Sequence, residues 1–282
     1  PYRRQRQMCI RDRARTVGRS CVAAKKVVPV LTEVLRSGYY PDDSNRRIIN
    51  EEYHQYIFIQ EDRFKLLSGV ARMNKGKSHF NGDNFLISRL ECGKAIAAIA
   101  DGMGSGKRAY IESRMVIELM ENCIDAGFDE KASIDLINSA YIAGGGTGNP
   151  VTMDMSVIDC QSGYMHCMKL GAVSTFIRRD KWVEIIQSTT LPMGVLEQVD
   201  YDCTTKKLYD GDYIVMVSDG VLDNIPCVNK EERMAQMIHA LTIREPSAMA
   251  EKLLEQSLAY NDMKASDDCT VLVLGLFDTY EK

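Results

Sequence analysis

Apolar residues cluster along the chain in runs at 85–90, 95–100, 153–158, 164–170, 173–178, 182–187, 213–218 and 270–276, most of them bounded by Gly, Asp, Asn or Ser. Short runs between turn formers predict β-strands, because a helix needs ten or more residues to bury a face. A second periodicity interrupts them. Residues 108–124 set Ile111, Met115, Val116, Leu119, Met120 and Cys123 at spacings of three and four, which predicts an amphipathic helix. Residues 130–142, 230–241 and 247–260 read as further helices. The strands between 153 and 187 follow one another through turns as short as Gln161-Ser162-Gly163. Turns that short suit antiparallel hairpins and exclude parallel crossovers, so the pattern predicts an α+β fold dominated by sheet. The stretch AGGGTGNP at 143–150 reads as a mobile loop, since so much glycine leaves the backbone unrestrained. The compact domain is expected to start near Phe64. Residues 27–65, with the turn-rich SGYYPDDSNRR and a strand-like YIFI, read as part of a preceding segment.

Length and composition narrow the class. A chain of 282 residues with 45% hydrophobic side chains can bury one large core or two smaller ones. None of its apolar runs approaches the roughly 20 residues that cross a bilayer. The net charge of −4 hides an asymmetry: residues 1–26 hold nine Lys/Arg against Asp12 alone, leaving 26 basic and 38 acidic residues in the rest. An acidic body argues against nucleic acid as partner, which calls for basic stripes, and points to protein or a small molecule. Within the basic head, Met8–Arg13 match the translation of a transposon end used to prepare sequencing libraries. Residues 1–20 are therefore expected to be an assembly artefact and are set aside, which leaves 21–65 as a partial regulatory or linker segment and 66–280 as the folded domain. Nine cysteines without a C-x-x-C pair make neither a disulfide framework nor a zinc site and suggest a reducing compartment. His54, His79, His166 and His239 lack metal-ligand spacing, and only His79, four residues before Asp83, stays in view.

The sequence IADGMGSGKRA at 99–109 looks like a phosphate-cradling loop. It fails the G-x-x-x-x-G-K-[ST] pattern, with Asp101 where the first glycine belongs and Arg108 where the hydroxyl belongs. Gly104-Ser105-Gly106-Lys107-Arg108-Ala109 does fit G-x-G-x-x-A, with Glu121 or Asp125 as a ribose ligand, though antiparallel surroundings argue against it. A C-x5-R spacing from Cys227 to Arg233 encloses two acids and no glycine, which suits no anion.

Acidic residues at strand ends carry more weight. Gly82-Asp83 precedes NFLI, Asp101-Gly102 follows AIAAIA, Asp219-Gly220 follows YIVMVS, and Asp267-Asp268 precedes CTVLVL. Any one of these is ordinary turn chemistry. Four together, on neighbouring strands, would gather carboxylates that repel one another unless a divalent cation neutralises them. Hard oxygen ligands without His or Cys suit Mg²⁺ or Mn²⁺, and two such ions can generate a nucleophilic hydroxide for attack on phosphorus.

The ordered set NGDNF, AIADGMGSG, TMDMSVIDCQSG, MKLGAVSTFIRR, LPMGV, GDYIVMVSDGVLD and DDCTVLVL resembles the bacterial metal-dependent type 2C serine/threonine protein phosphatases. Within them it is most similar to the phosphatase domain of the stage II sporulation protein E family, from about Leu67 to Phe277. The resemblance implies an α+β fold of the α-β-β-α kind, an antiparallel β-sandwich flanked by helices on both sides, with two Mn²⁺ or Mg²⁺ ions at one edge. It implies Asp101 as bridging ligand with the Gly102 carbonyl beside it, Asp83 on one metal, and Asp219 and Asp267 on the other. Asp267 is preferred to Asp268 because it aligns with the first acid of the closing motif. Asp154 is expected near the site without ligating. The implied substrate is phosphoserine on an anti-sigma-factor antagonist, whose dephosphorylation frees a sporulation sigma factor, and a homodimer is among the states such a domain adopts. Family members carry an N-terminal membrane region, so this fragment is expected at the cytoplasmic face without touching the membrane itself. Helix 108–124 would belong to the activating scaffold, with Lys107 and Arg108 solvated in its first turn. The rival readings are a catalytically inactive relative acting as a binding module and a dinucleotide-binding oxidoreductase.

Overall fold

In the computed structural model, residues 9–76, 78–90, 93–143, 149–180 and 182–279 are described; residues 144–148 of the glycine-rich loop lie outside them. The chain divides into two compact units that change over between Arg63 and Phe64.

The first unit holds β1 (Cys9–Ala14), β2 (Val22–Ala23), α1 (Val28–Leu35), β3 (Tyr39–Pro41), β4 (Ile48–Ile49) and β5 (His54–Gln60). Strands β1, β5 and β3 form one sheet, with β5 in the centre, and β2 pairs with β4. A small core of Ala24, Tyr39, Ile49, Tyr56 and Phe58 holds them, and the Tyr56 hydroxyl donates to the Ile48 carbonyl. Part of the segment set aside above, residues 9–14, is strand β1 here, in register with β5 from Cys9–Ile59 to Ala14–His54.

The second unit contains β6 (Phe64–Met73), β7 (Asp83–Arg89), β8 (Lys94–Gly102), α2 (Lys107–Asp125), α3 (Glu130–Ala143), β9 (Val151–Asp159), β10 (Tyr164–Leu170), β11 (Thr175–Arg178) and β12 (Val183–Ile186). It continues through β13 (Asp202–Lys207), β14 (Tyr213–Val217), α4 (Asp219–Asp223), α5 (Lys230–Ala240), α6 (Pro246–Leu258) and β15 (Cys269–Asp278). Two five-stranded antiparallel sheets, ordered β13-β10-β9-β8-β7 and β12-β11-β14-β15-β6, pack face to face. Helices α2 and α3 cover the first, and α4, α5 and α6 the second, giving the α-β-β-α layering of the α+β class.

Central strands read as unbroken apolar runs because both their faces are buried. In β8, Ala97 and Ile99 enter the layer between the sheets, while Ile96, Ala98 and Ala100 meet α2 and α3. In β14, Ile214 and Met216 point inward, and Tyr213, Val215 and Val217 face the helices. Each fully buried Ile, Leu, Val or Met here contributes about 1.5–3 kcal/mol relative to exposure. Among the described residues no helix is long and apolar enough to cross a membrane.

In the second unit three elements escaped the pattern. Edge strand β13, DCTTKK, carries no apolar alternation, as befits an edge that must not pair with another chain. Edge strand β6 is broken by Ser68 and Gly69; a Cβ on Gly69 would lie 2.2 Å from the Ser247 backbone nitrogen, so glycine admits the start of α6. Helix α4 is only five residues long. The stripe of α2 is also rotated from its predicted position: Ile111 is exposed, and the helix is seated by Ala109, Ser113, Val116, Ile117, Met120 and Cys123. The first turns dock by hydrogen bonds, Ser113 donating to the Gly82 carbonyl and accepting from Asn84 at 2.8 Å, rather than by apolar contact.

Candidate metal centre

Asp83 and Asp101 sit directly opposite each other in the β7–β8 ladder, and Asp101 in turn faces Thr152 of β9. Side chains paired across an antiparallel ladder share a face with Cβ atoms about 4.5–5.5 Å apart, so the register alone brings two carboxylates together. Asn81 fixes the first of them by accepting from the Asp83 backbone N–H at 3.0 Å. From the second sheet, β14 leads into Ser218, whose N–H donates to the Thr270 carbonyl and whose Oγ accepts from the Thr270 N–H at 2.9 Å. That clamp sets Asp219 beside the start of β15. Gly220 then passes so close that a Cβ there would lie 2.1 Å from the Asp268 carbonyl oxygen. Gly102 is equally confined, with an added Cβ 2.4 Å from the Ala109 carbonyl oxygen.

The doublet at the head of β15 divides its labour. Asp268 is buried and both its oxygens are taken by backbone donors, Oδ1 from Lys75 N at 2.8 Å and Oδ2 from Gly82 N at 2.7 Å. Asp267 is half-exposed; its Oδ1 accepts from its neighbour's N–H at 2.9 Å and meets Lys75 Nζ at 3.5 Å. Asp268 therefore ties the 74–82 loop to the sheet, whereas Asp267 uses only Oδ1 in these contacts. The four carboxylates grade from Asp83, wholly buried, through Asp101 and Asp267 to Asp219 at the surface, a bowl open to solvent on one side.

Their electrostatics are those of crowded like charges. Asp83 is raised from 3.8 to about 6 by burial, against the nearby Thr270 and Ser218 hydroxyls and with repulsion from Asp219 and Asp268. Both its oxygens are buried without a hydrogen-bond partner, as is Thr270 Oγ1. Asp101 is pushed up to about 10, first by burial and then by Asp83 and Asp219, to which it gives a hydrogen bond. Asp219 is raised by the protein around it, with Asp223 and Asp267 adding repulsion and the Asp101 proton opposing. Among the described residues no three His, Cys, Asp or Glu side chains close on one point as they stand. The set nevertheless fits a divalent cation: orphaned carboxylate oxygens on Asp83, an Asp101 carboxyl that holds its proton at neutral pH for want of a positive charge, and oxygen donors only.

Other candidates fall elsewhere. Asp154 is buried near the cluster, but its Oδ2 is taken by Lys169 at 2.5 Å. His79 is exposed. Cys227 is exposed as well, and Arg233 on α5 is engaged by the Tyr260 hydroxyl and Gln236, so no anion loop forms between them. Lys107 and Arg108 lie in the first turn of α2, and Arg108 pairs with Glu112 at 3.3 Å. The glycines of GMGSG turn the chain there, Gly104 and Gly106 at φ of 100° and 84°. Strand β9, the next after that helix pair, runs antiparallel to β8, which removes the parallel crossover a dinucleotide site requires. Sequence reasoning passed over Ser218, Thr270 and Arg72, whose guanidinium donates to the Asp83 carbonyl and lies 5.5 Å from the Phe85 ring. It also passed over Lys169, although a lysine within an otherwise apolar strand was a visible signal.

Comparison with known proteins identifies the relatives of this site. The profile of the family described as Stage II sporulation protein E (SpoIIE) matches residues 92–277. The chain is 30% identical over 253 residues to stage II sporulation protein E of Bacillus subtilis (strain 168), and equally so to that of Priestia megaterium. Those matches take in 89% of this chain and 31% and 43% of the relatives, so the chain spans less than half of either. A structure of the type 2C phosphatase domain and a fragment of the regulatory domain of SpoIIE from Bacillus subtilis superposes with a TM-score of 0.80 at 27% identity, over 98% of this chain and 80% of that one. The fold is shared further, with RsbX in complex with magnesium, at a TM-score of 0.58 and 20% identity over 75% of this chain and 95% of RsbX.

Proposed function

The chain belongs to the stage II sporulation protein E family, and on that footing we propose that its second unit is a protein phosphatase dependent on Mn²⁺ or Mg²⁺, hydrolysing phosphoserine. The observation that carries this reading is the cluster of four strand-end aspartates, with Asp83 raised to about 6 and Asp101 to about 10 by burial and mutual repulsion, and both Asp83 oxygens unpartnered. Asp101 would serve both ions, the Gly102 carbonyl would be a further ligand, Asp83 would hold one ion, and Asp219 and Asp267 the other. When bound, such ions lower the pKa of a water and orient it toward phosphorus.

The chain's own residues supply the frame. Asp268 and Asn81 hold the 74–82 loop so that Asp83 faces inward. The Ser218–Thr270 clamp fixes the turn that presents Asp219. Nothing in this set is a nucleophile, which accords with direct attack by water. The substrate we favour is phosphoserine on an anti-sigma-factor antagonist, whose dephosphorylation would release a sporulation sigma factor. Within a longer protein bearing a membrane region, as the family resemblance implies, this unit would work at the cytoplasmic face, as a monomer or as a homodimer. The first unit is read as part of a regulatory segment.

The test is hydrolysis of p-nitrophenyl phosphate and of a phosphoserine protein with Mn²⁺ and with chelator, comparing wild type with Asp101→Asn and Asp219→Asn. Loss of turnover in chelator and in both variants is expected. Unchanged turnover in the variants would sink the two-metal reading, and no turnover with any metal would favour a binding module.

A further inference from the structure

Asp154 and Lys169 face each other across the β9–β10 ladder, and both side chains are almost wholly buried. Lys169 Nζ donates to Asp154 Oδ2 at 2.5 Å and to Thr175 Oγ1 at 2.7 Å. The Thr175 hydroxyl, from the opposite sheet, donates to the same carboxylate oxygen. An ion pair this deep adds little stability over an apolar pair of similar shape, because taking both charges out of water offsets their attraction. Packing alone does not explain it.

Its place in the fold does. Asp154 is in register with Ile99, two residues along from Asp101, and Thr152 is in register with Asp101. Side chains alternate along a strand, so Asp83, Asp101, Thr152, Asp154 and Lys169 all project from one face of their sheet. Beyond this row that face forms the apolar interior of the sandwich around Ala97, Ile99, Ile158, Met165 and Cys167. Where the polar row meets Ser218 and Asp219 from the second sheet, a partly open pocket of about 50 Å³ is lined by Asp101, Asp154 and Asp219 together. A site with polar walls admits water once it offers about 10–15 Å³ per molecule and two to four partners.

We infer that Asp154 is a positioning residue for the metal centre, a carboxylate that ligates nothing itself and anchors water in this cavity to hold the Asp101 and Asp219 carboxylates in the orientation that receives a divalent cation. A water molecule has two hydrogens, so one that donates to Asp154 can donate the other to Asp101 or Asp219. Outer partners of this kind orient ligands that would otherwise swing. Lys169 and Thr175 fix the anchoring carboxylate from behind, and the ammonium keeps a fifth acid from adding to the repulsion among the other four. The inference rests on the metal-centre reading given above.

The test uses the full chain, with isothermal titration of MnCl₂ in the absence of substrate beside urea unfolding in EDTA. In the paired variant Asp154→Leu, Lys169→Met no buried charge is left alone, so unfolding in EDTA stays close to wild type. Mn²⁺ binding weakens by about 10- to 100-fold. Unchanged Mn²⁺ affinity in the folded paired variant would overturn the inference and leave the pair a packing element. Should that variant fail to fold, Asp154→Asn paired with Lys169→Gln, which keeps the shape and again leaves no buried charge alone, carries the same expectation and the same refutation. A wild type that takes up no Mn²⁺ would instead overturn the metal-centre reading, and the positioning role with it.

Discussion

Replacing Asp101 by asparagine is expected to stabilise the protein in chelator while abolishing its response to Mn²⁺. Burial and the neighbouring carboxylates push Asp101 up to about 10 from 3.8. At neutral pH the folded protein therefore keeps a proton that the unfolded chain has released. The folded state binds more protons, so the stability this group contributes is complete below the unfolded value and falls as pH rises through the window up to the folded one. Each pH unit in that window removes about 1.4 kcal/mol. Roughly three units separate the unfolded value from pH 7, so the loss at neutrality reaches about 4 kcal/mol as an upper bound, however far above 7 the folded value lies. Asparagine has the shape of the protonated acid and does not titrate. In EDTA the variant should thus match wild type near pH 4 and exceed it by up to about 4 kcal/mol at pH 7. With Mn²⁺ at 100 times its Kd the wild type gains about 2.7 kcal/mol and the variant nothing. Urea unfolding followed by circular dichroism, across pH and with EDTA or MnCl₂, reads both effects. A variant less stable than wild type at neutral pH in EDTA, or a difference independent of pH, would refute the reasoning.

Asp219→Asn should reduce phosphoserine hydrolysis by roughly 100-fold or more, about 3 kcal/mol in the barrier, with an unaltered circular dichroism spectrum; retained turnover would remove Asp219 from the site. The two acids heading β15 should separate cleanly. Asp268→Ala strips the buried Gly82 N–H and the part-buried Lys75 N–H of their acceptor and should destabilise by about 2–4 kcal/mol in urea unfolding. Asp267→Ala should alter stability by less than about 0.5 kcal/mol yet weaken Mn²⁺ binding in calorimetry, and the opposite assignment of effects would transfer the ligand role to Asp268. Gly220→Ala forces a methyl against the Asp268 carbonyl oxygen and should destabilise by about 1–3 kcal/mol; a thermal melt indistinguishable from wild type would mean that the turn yields.

Much of the fold was legible because β8, β14 and β15 are buried on both faces, and their apolar runs admit little other than central strands. The strand-end aspartates were legible for a related reason: an acid abutting such a run is fixed by the sheet, and the register then sets Asp83 against Asp101. Edge strands β13 and β6 were not, having one side in water and no need to be apolar, whereas the other two edges, β7 and β12, fell on the predicted runs at 85–90 and 182–187. Helix α2 misled for a specific physical reason. Its first turns are seated by Ser113 on the Gly82 carbonyl, a contact invisible to any count of hydrophobic spacing, and this turns Ile111 outward. The division between Asp267 and Asp268 was also beyond the sequence. It depends on which carboxylate meets the backbone of a loop nearly two hundred residues away in the chain.

The ten-rung ladder between β15 and β6 joins the last strand of the second unit to its first, Asp278 opposite Phe64 and Cys269 opposite Met73. During synthesis the ribosome makes β6 early and must finish β15 before that edge has its partner. Contacts so distant in sequence form slowly, because a long loop has to close before any of them can form. Asp267 arrives with the same strand, so the bowl of carboxylates is completed only as the sandwich closes. A nascent or truncated chain lacking β15 would carry Asp83, Asp101 and Asp219 but not Asp267. On this topology the centre assembles last, and competence to bind a cation serves as a report that the whole unit has folded.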